Sequence, residues 1–125
     1  MKIHFLDDDY PTNRYHELTL EEVANELSMA ISYYSNPEDL LQIYSNSEII
    51  PDVLFLDVNM PRMKCWEFLD DFSDLEPDSK LTVILLTTSE DPLVTNRAKD
   101  YELIKAIKIK PLEPGYLKVL STLIE

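Results

Sequence analysis

Residues 53–63 of this chain read VLFLDVNMPRM. Four apolar residues open the stretch, and Asp57 follows them directly. An apolar run without alternation is typical of a strand that is buried on both faces, as in a parallel sheet. Pro51 and Pro61 bound the run and limit it to the length of a strand. The stretch therefore predicts a buried strand over 53–57 that ends in a carboxylate.

Four further segments have the composition of strands. Residues 3–6 and 81–86 are largely aliphatic, and 81–86 again lacks alternation. Residues 30–34 form a weaker candidate that is rich in β-forming side chains. Residues 104–109 mix isoleucine with lysine, which predicts a strand at the edge of the sheet.

Helical signals lie between and after these strands. The pairs Asn36-Pro37 and Asp91-Pro92 each combine an N-capping residue with a proline at the first helical position. Apolar residues at helical spacing support the other helices. The expected helices cover about 12–29, 37–46 and 65–72, a segment starting at 92, and a last helix carrying Leu117, Leu120 and Leu123 or Ile124.

Strand and helix thus alternate five times along the sequence. This alternation predicts right-handed crossovers onto a parallel sheet with helices on both faces, which is a doubly wound α/β sandwich. In such folds ligands bind outside the carboxyl ends of the strands. Candidate chemistry is therefore expected at that edge.

Composition narrows the function classes. The chain has 125 residues, which suits one domain, and its 24 acidic and 11 basic residues give a net charge of −13. This charge disfavours binding to nucleic-acid phosphates and to anionic membranes. The single cysteine fits a reducing compartment, and the aliphatic runs are far shorter than the ~20 residues that span a bilayer. We expect a cytoplasmic protein of one domain over 1–125, with no output domain.

Reactive side chains follow four of the five predicted strands. In chain order they are Asp7-Asp8-Asp9, Asp57, Thr87-Thr88-Ser89 and Lys110-Pro111. Carboxylates held close together repel one another, and Mg²⁺ would relieve that repulsion. A carboxylate can also form an aspartyl phosphate, with a lysine and a metal neutralising the phosphoryl charge. Each feature alone has a structural alternative: a helix cap, a hydroxyl turn or a solvated lysine.

Over essentially its whole length the chain resembles a response-regulator receiver domain of two-component signalling, of the stand-alone type similar to the chemotaxis response regulator. In that family an apolar strand ends in the phosphorylated aspartate, and x-x-Met-Pro-x-Met follows, as it does after Asp57. An early acidic pair, a Thr or Ser after the fourth strand and a Lys-Pro pair complete the pattern. The resemblance implies a flavodoxin-like (βα)5 fold with strand order 2-1-3-4-5.

The resemblance also assigns roles to individual positions. Asp57 would be the phosphoacceptor, Thr87 the switch hydroxyl, and Lys110 the partner of the phosphoryl group, with a Lys110-Pro111 bond that is often cis in the family. The implied Mg²⁺ ligands are Asp7, Asp8, Asp57 and the backbone carbonyl of Asn59, with Asp8 a more direct ligand than Asp7 and with Asp9 facing away. The side chains of Asn59 and Ser89 would modulate the lifetime of the phosphoryl group.

Three positions depart from the family pattern. Lys64 and Cys65 stand where the family usually has Asp-Gly, and Ile107 replaces the usual aromatic residue. Glycine is favoured at such a position for its backbone freedom, so either Cys65 adopts that geometry or the turn differs. The alternative for Cys65 is a small buried apolar residue, and for Lys64 a solvated cation. Ile107 weakens the expectation of an aromatic side chain that moves inward with Thr87.

The expected function is Mg²⁺-dependent acceptance of a phosphoryl group from a phosphohistidine. A sensor histidine kinase or a histidine phosphotransfer protein would be the donor. Phosphorylation would switch the surface of helix four, strand five and helix five, roughly 91–124, toward a downstream protein target, or the phosphate would be relayed onward. The protein would assist its own phosphorylation and dephosphorylation without being an ordinary enzyme, and a weak homodimer is compatible with this.

Two other classes of function are open at this stage. The departures at Lys64, Cys65 and Ile107 allow a phosphorylation-independent interaction module on the same fold. Asp57 at a strand end also allows a phosphohydrolase with a nucleophilic aspartate. Asn59 stands where such phosphatases have their second acid, which disfavours the hydrolase.

Overall fold

The computed structural model describes residues 1–46, 50–75, 77 and 81–123. Strands and helices alternate through these residues. Their bounds are β1 Lys2–Leu6, α1 Tyr10–Glu26, β2 Ala30–Tyr34, α2 Pro37–Asn46, β3 Val53–Asp57, α3 Cys65–Asp74, β4 Thr82–Thr87, α4 Pro92–Ala98, β5 Ile104–Ile109 and α5 Tyr116–Leu123. The strands form one parallel sheet in the order β2-β1-β3-β4-β5, which confirms the predicted fold class and strand order.

The first helix is offset from its predicted range of 12–29. Asp9 caps α1, because its side chain accepts a hydrogen bond from the backbone N–H of Thr12 at 3.2 Å, and the helix therefore begins at Tyr10. At the other end Ser28 has a φ of 55°, a left-handed conformation that stops the helix. The other bounds agree with the prediction to within two residues. Ile124, the alternative to Leu123, lies outside the described residues.

The central strand β3 is buried on both faces, as its apolar run predicts. Leu54 and Leu56 pack in one cluster with residues of α2 and α3, whereas Val53 and Phe55 pack in a second cluster with residues of α1 and α5. Helices cover both faces of the sheet, so neither face selects for polar side chains. The two clusters hold the carboxyl ends of the inner strands at a common edge.

Strand β5 forms an edge of the sheet, as its mixed sequence predicts. A register shift separates two of its pairs with β4: Val83 opposite Ile104, and Ile84 opposite Ala106. Beyond the shift the two strands stay paired to their ends, so the residue after β5 lies beside the end of β4. In the portion of the chain described by the structure, no helix combines the length and the apolar character needed to cross a membrane.

Candidate functional site

Three carboxylates meet at the carboxyl edge of the sheet. Asp7, Asp8 and Asp57 each offer an oxygen within 4.8 Å of the others. They meet because β1 and β3 are parallel neighbours, which places the residues that end or follow these strands side by side. Asp7 and Asp57 are only 1% and 4% exposed, and Asp8 is half-buried. The predicted acidic cluster is therefore present as a compact group of oxygen donors.

Lys110 joins two members of this cluster. Its Nζ lies 2.9 Å from Asp7 Oδ2 and 3.0 Å from Asp57 Oδ1, and its side chain is largely buried. Burial acts to lower the pKa of the Lys110 ammonium, but hydrogen bonds to the two carboxylates and attraction by their charges together raise it. Its backbone N–H donates to the Thr87 carbonyl at 2.8 Å, and its peptide bond to Pro111 is cis. The Lys110 ammonium thus pairs with two of the three carboxylates.

The electrostatic balance of the cluster favours a further cation. Burial raises the pKa of Asp57 to about 6, and the nearby Asp7 carboxylate adds to that effect. The ammonium of Lys110 and a backbone hydrogen bond from Asn59 act in the opposite direction but do not cancel it. The ionised form of Asp57 is therefore held in the folded protein at a free-energy cost. A divalent cation would lower that cost.

The donor set fits a hard divalent cation such as Mg²⁺. Every side-chain donor in the cluster is a carboxylate oxygen, which is the ligand type that hard cations prefer, and one ion can reach all three groups. Asn59, whose backbone carbonyl the family resemblance assigns to the metal shell, lies two residues after Asp57 with its side chain exposed. A metal that keeps some water ligands needs only these few protein oxygens.

The structure divides the aspartate run between two roles. Asp7 and Asp8 enter the cluster, whereas Asp9 caps α1 and also donates its backbone N–H to Asp7 Oδ1 at 2.9 Å. The capping alternative for the whole run is thus correct for its third residue only. Because Asp9 both caps the start of α1 and donates to Asp7, it connects that helix to the acidic cluster.

Thr87 lies beside the cluster, with its hydroxyl turned toward the following loop. It is the last residue of β4 and is buried, and its Oγ1 donates to the Ser89 carbonyl at 3.1 Å. The side chain of Ser89 is exposed. The threonine hydroxyl therefore has a local acceptor that it must leave in order to reach a group bound at Asp57.

The positions that depart from the family pattern have plain structural roles. Cys65 is fully buried and begins α3, and among the described residues other than glycine only Ser28 has a positive φ, so the turn before α3 needs no glycine. The backbone of Lys64 is extended and its side chain is exposed. Ile107 is half-buried against the core and, with Thr87, lines a groove of about 950 Å³ beside α4.

Two buried residues of α1 near the site are missing from the sequence-based prediction. The Nδ2 of Asn13 donates to the carbonyls of Asp7 and Tyr34 at 2.9 and 3.1 Å, and His16 Nε2 accepts from the backbone N–H of Leu112 at 2.9 Å. Asn13 and His16 are polar residues three apart on the buried face of α1. That exception to an otherwise apolar stripe is the signal that could have identified them.

Comparison with known proteins identifies the family of this chain. The sequence model of the response regulator receiver domain matches residues 3–120, and the chain therefore belongs to that family of two-component signalling domains. No curated protein matches the sequence.

Solved structures agree in fold. A two-component response regulator from Cytophaga hutchinsonii superimposes with a TM-score of 0.83 at 22% identity, covering 98% of this chain and 95% of that chain. The chemotaxis protein CheY4 of Vibrio cholerae gives 0.78 at 18% identity, with 99% and 98% covered. A receiver domain protein from Clostridium thermocellum gives 0.75 at 21% identity, with 98% and 92% covered.

Proposed function

We propose that this protein accepts a phosphoryl group on Asp57 from a phosphohistidine. The observation that carries the proposal is the position of Lys110, whose ammonium bridges Asp57 and Asp7 inside a cluster of three carboxylates. A buried carboxylate beside a fixed ammonium and further oxygen donors is suited to receive and neutralise a phosphoryl group.

The carboxylates of the cluster and the Asn59 carbonyl would hold Mg²⁺, which supplies positive charge for the phosphoryl oxygens when it is bound. A carboxylate oxygen of Asp57 forms the new P–O bond in line with the departing imidazole, and the electron pair of the broken P–N bond stays on the histidine ring. The Lys110 ammonium, already 3.0 Å from Asp57, is placed to pair with a phosphoryl oxygen. The protein contributes positioning and charge rather than a proton.

Thr87 would transmit the change. Its hydroxyl leaves the Ser89 carbonyl and donates to a phosphoryl oxygen, which alters the groove that Thr87 shares with Ile107 and α4. We assign the surface of α4, β5 and α5 to the switch. A stable phosphoryl mimic at Asp57 should shift the amide resonances of 91–123, and unchanged resonances there would refute this part of the proposal.

The proposal also covers the lifetime of the phosphoryl group and the partners of the protein. The side chains of Asn59 and Ser89 are exposed near the cluster, where they influence the access of water to the phosphoryl group. The donor would be a sensor histidine kinase or a histidine phosphotransfer protein, and the recipient a downstream protein target or the next protein of a relay. A net charge of −13 makes nucleic acid and anionic membranes poor partners, and the proposal includes a cytoplasmic location. A weak homodimer is compatible with the proposal.

Phosphorylation with a small donor tests the proposal directly. The protein is incubated with Mg²⁺ and acetyl phosphate, and its intact mass is read promptly beside an Asp57→Asn control and a sample treated with a chelator. One added phosphoryl group in the native protein alone, and only with Mg²⁺, is expected. No addition, together with no beryllofluoride complex, would refute the proposal in favour of a phosphorylation-independent interaction module.

A further inference from the structure

His16 makes a long-range hydrogen bond beside the site. It lies on α1, its side chain is fully buried, and its Nε2 accepts from the backbone N–H of Leu112 at 2.9 Å, 96 residues away in sequence. The ring also packs against Phe5, with 5.2 Å between the ring centres. The side chain therefore connects the helix that follows the acidic run to the segment that follows Lys110.

The direction of this bond defines the state of the ring. A backbone N–H can only donate, so Nε2 must carry no proton, and the neutral ring carries its proton on Nδ1. Burial lowers the pKa of His16 and so favours this neutral form. No hydrogen-bond partner of Nδ1 lies within the described ranges. The Leu112 bond is therefore the polar contact that holds the ring.

The segment 110–112 is attached to its surroundings at both ends. The Lys110 N–H donates to the Thr87 carbonyl at 2.8 Å, and the Leu112 N–H donates to His16. Pro111 between them has no N–H to contribute. The side chain of Leu112 is buried in the core cluster next to α1 and α5. These attachments fix the backbone that carries the ammonium facing Asp57.

We propose that His16 is a positioning residue, whose Nε2 holds the segment after Lys110 so that the ammonium stays directed at Asp57 through phosphoryl transfer. The inference rests on the proposed function of Asp57. The new element is a side chain that acts through Lys110. It touches neither the phosphoryl donor nor the acidic cluster. Loss of the acceptor at Nε2 should slow the transfer without weakening the binding of Mg²⁺, because Lys110 is not among the metal ligands.

The test compares isosteres that place a hydrogen-bond acceptor differently. His16→Gln can place its amide oxygen near the position of Nε2, His16→Asn places its amide near Nδ1, and His16→Leu has no acceptor. Initial rates of phosphoryl addition from acetyl phosphate are measured over a range of Mg²⁺ concentrations. We expect His16→Leu and His16→Asn to lower the maximal rate about ten-fold with unchanged half-saturating Mg²⁺, and His16→Gln to restore most of the rate.

The other buried histidine provides the matched control. His4 hydrogen-bonds to Tyr44 at 2.8 Å through Nδ1, so His4→Leu also removes a buried histidine and its bond, but leaves the segment after Lys110 intact. Its rate should equal that of the native protein even if its stability falls. Faster hydrogen exchange of the Leu112 amide is expected in His16→Leu and not in His4→Leu.

Each outcome bears on the proposal. Three results would overturn the positioning role while Asp57 remains a phosphoacceptor. They are a native rate of phosphoryl addition in His16→Leu, an equal loss of rate in His16→Gln and His16→Asn, or the same loss of rate in His4→Leu as in His16→Leu. If His16→Leu does not fold, the comparison of Gln with Asn decides. If the native protein takes no phosphoryl group, the proposed function fails and the positioning role fails with it.

Discussion

At the scale of single residues, the site holds groups that folding alone would not favour. Asp57 is buried beside Asp7, and burial raises its pKa to about 6. Between the ordinary pKa of 3.8 and this value the native state binds more protons than the unfolded state, so this group's contribution to stability falls as pH rises through that window. At neutral pH the ionised carboxylate therefore destabilises the fold.

Replacing this carboxylate should stabilise the protein. Asp57→Asn removes the buried charge, and we expect the free energy of unfolding at pH 7 to rise by about 1–2 kcal/mol. This is less than the roughly 3 kcal/mol that the shifted pKa implies, because the new amide is itself a buried polar group. Urea denaturation measures this change. The matched control is Asp71→Asn on the exposed side of α3, which alters the net charge equally and should leave the stability almost unchanged. A less stable Asp57→Asn protein would contradict the electrostatic account.

His4 has the opposite pH dependence. Burial lowers its pKa from 6.5 to about 4, with a smaller contribution from Lys2. Between these values the unfolded state binds the proton and the native state does not, so stability is lost as the pH falls below 6.5. From pH 7 to pH 5 we expect the native protein to lose about 2 kcal/mol more than His4→Asn, which does not titrate. Parallel losses in the two proteins would show that His4 is not responsible.

At the scale of elements, the stability of α4 depends on contacts at its two ends. It has seven residues, far fewer than the ~12–15 that an isolated helix needs to be even marginally stable. At its start the side chain of Asp91 accepts from the Leu93 N–H at 2.9 Å. At its end the Arg97 guanidinium lies 5.0 Å from the ring centre of Trp66 in α3, and Tyr101 stacks on that ring with 5.4 Å between centres. A helix this short, with stabilising contacts at both of its termini, is suited to respond to Thr87.

Removing the N-cap of α4 should loosen that helix selectively. Asp91→Ala loses the side-chain acceptor, and we expect a local cost of about 1 kcal/mol. Amide hydrogen exchange should then accelerate in α4 while the amides of β3 keep their protection. Asp91→Asn retains a capping oxygen and is the matched control, expected to exchange like the native protein. Equal acceleration in both variants, or none in either, would contradict the capping role.

At the scale of the whole molecule, the parallel sheet concentrates negative charge at one edge. The chain carries a net charge of −13, and the carboxyl ends of β1 and β3 bring three of its carboxylates within 4.8 Å of one another. Asp57 is distant in sequence from Asp7 and Asp8, so the complete cluster exists only in the folded state. Any cation bound there is linked to global stability.

Mg²⁺ should therefore stabilise the protein against unfolding. At ten times its dissociation constant, binding to the native state alone adds about 1.4 kcal/mol, seen as a higher Tm. NaCl at matched ionic strength controls for screening of the overall charge. Asp8→Asn removes a half-buried oxygen donor and should abolish most of the Mg²⁺ effect while keeping the NaCl effect. A native protein that responds to both salts alike would exclude a specific site.

The sequence by itself determined the succession of strands and helices along the chain, the burial of 53–57 and the residues at the strand ends. These features depend on the spacing of hydrophobic residues and on capping residues, which act over a few neighbours. The order of the strands within the sheet was predicted from the family resemblance. Only the tertiary structure decided that Asp9 caps α1 while Asp7 meets Lys110, that Thr87 donates to Ser89, and that His16 holds Leu112. The Lys110 and His16 contacts join residues 103 and 96 positions apart, and local sequence patterns carry no signal over such separations.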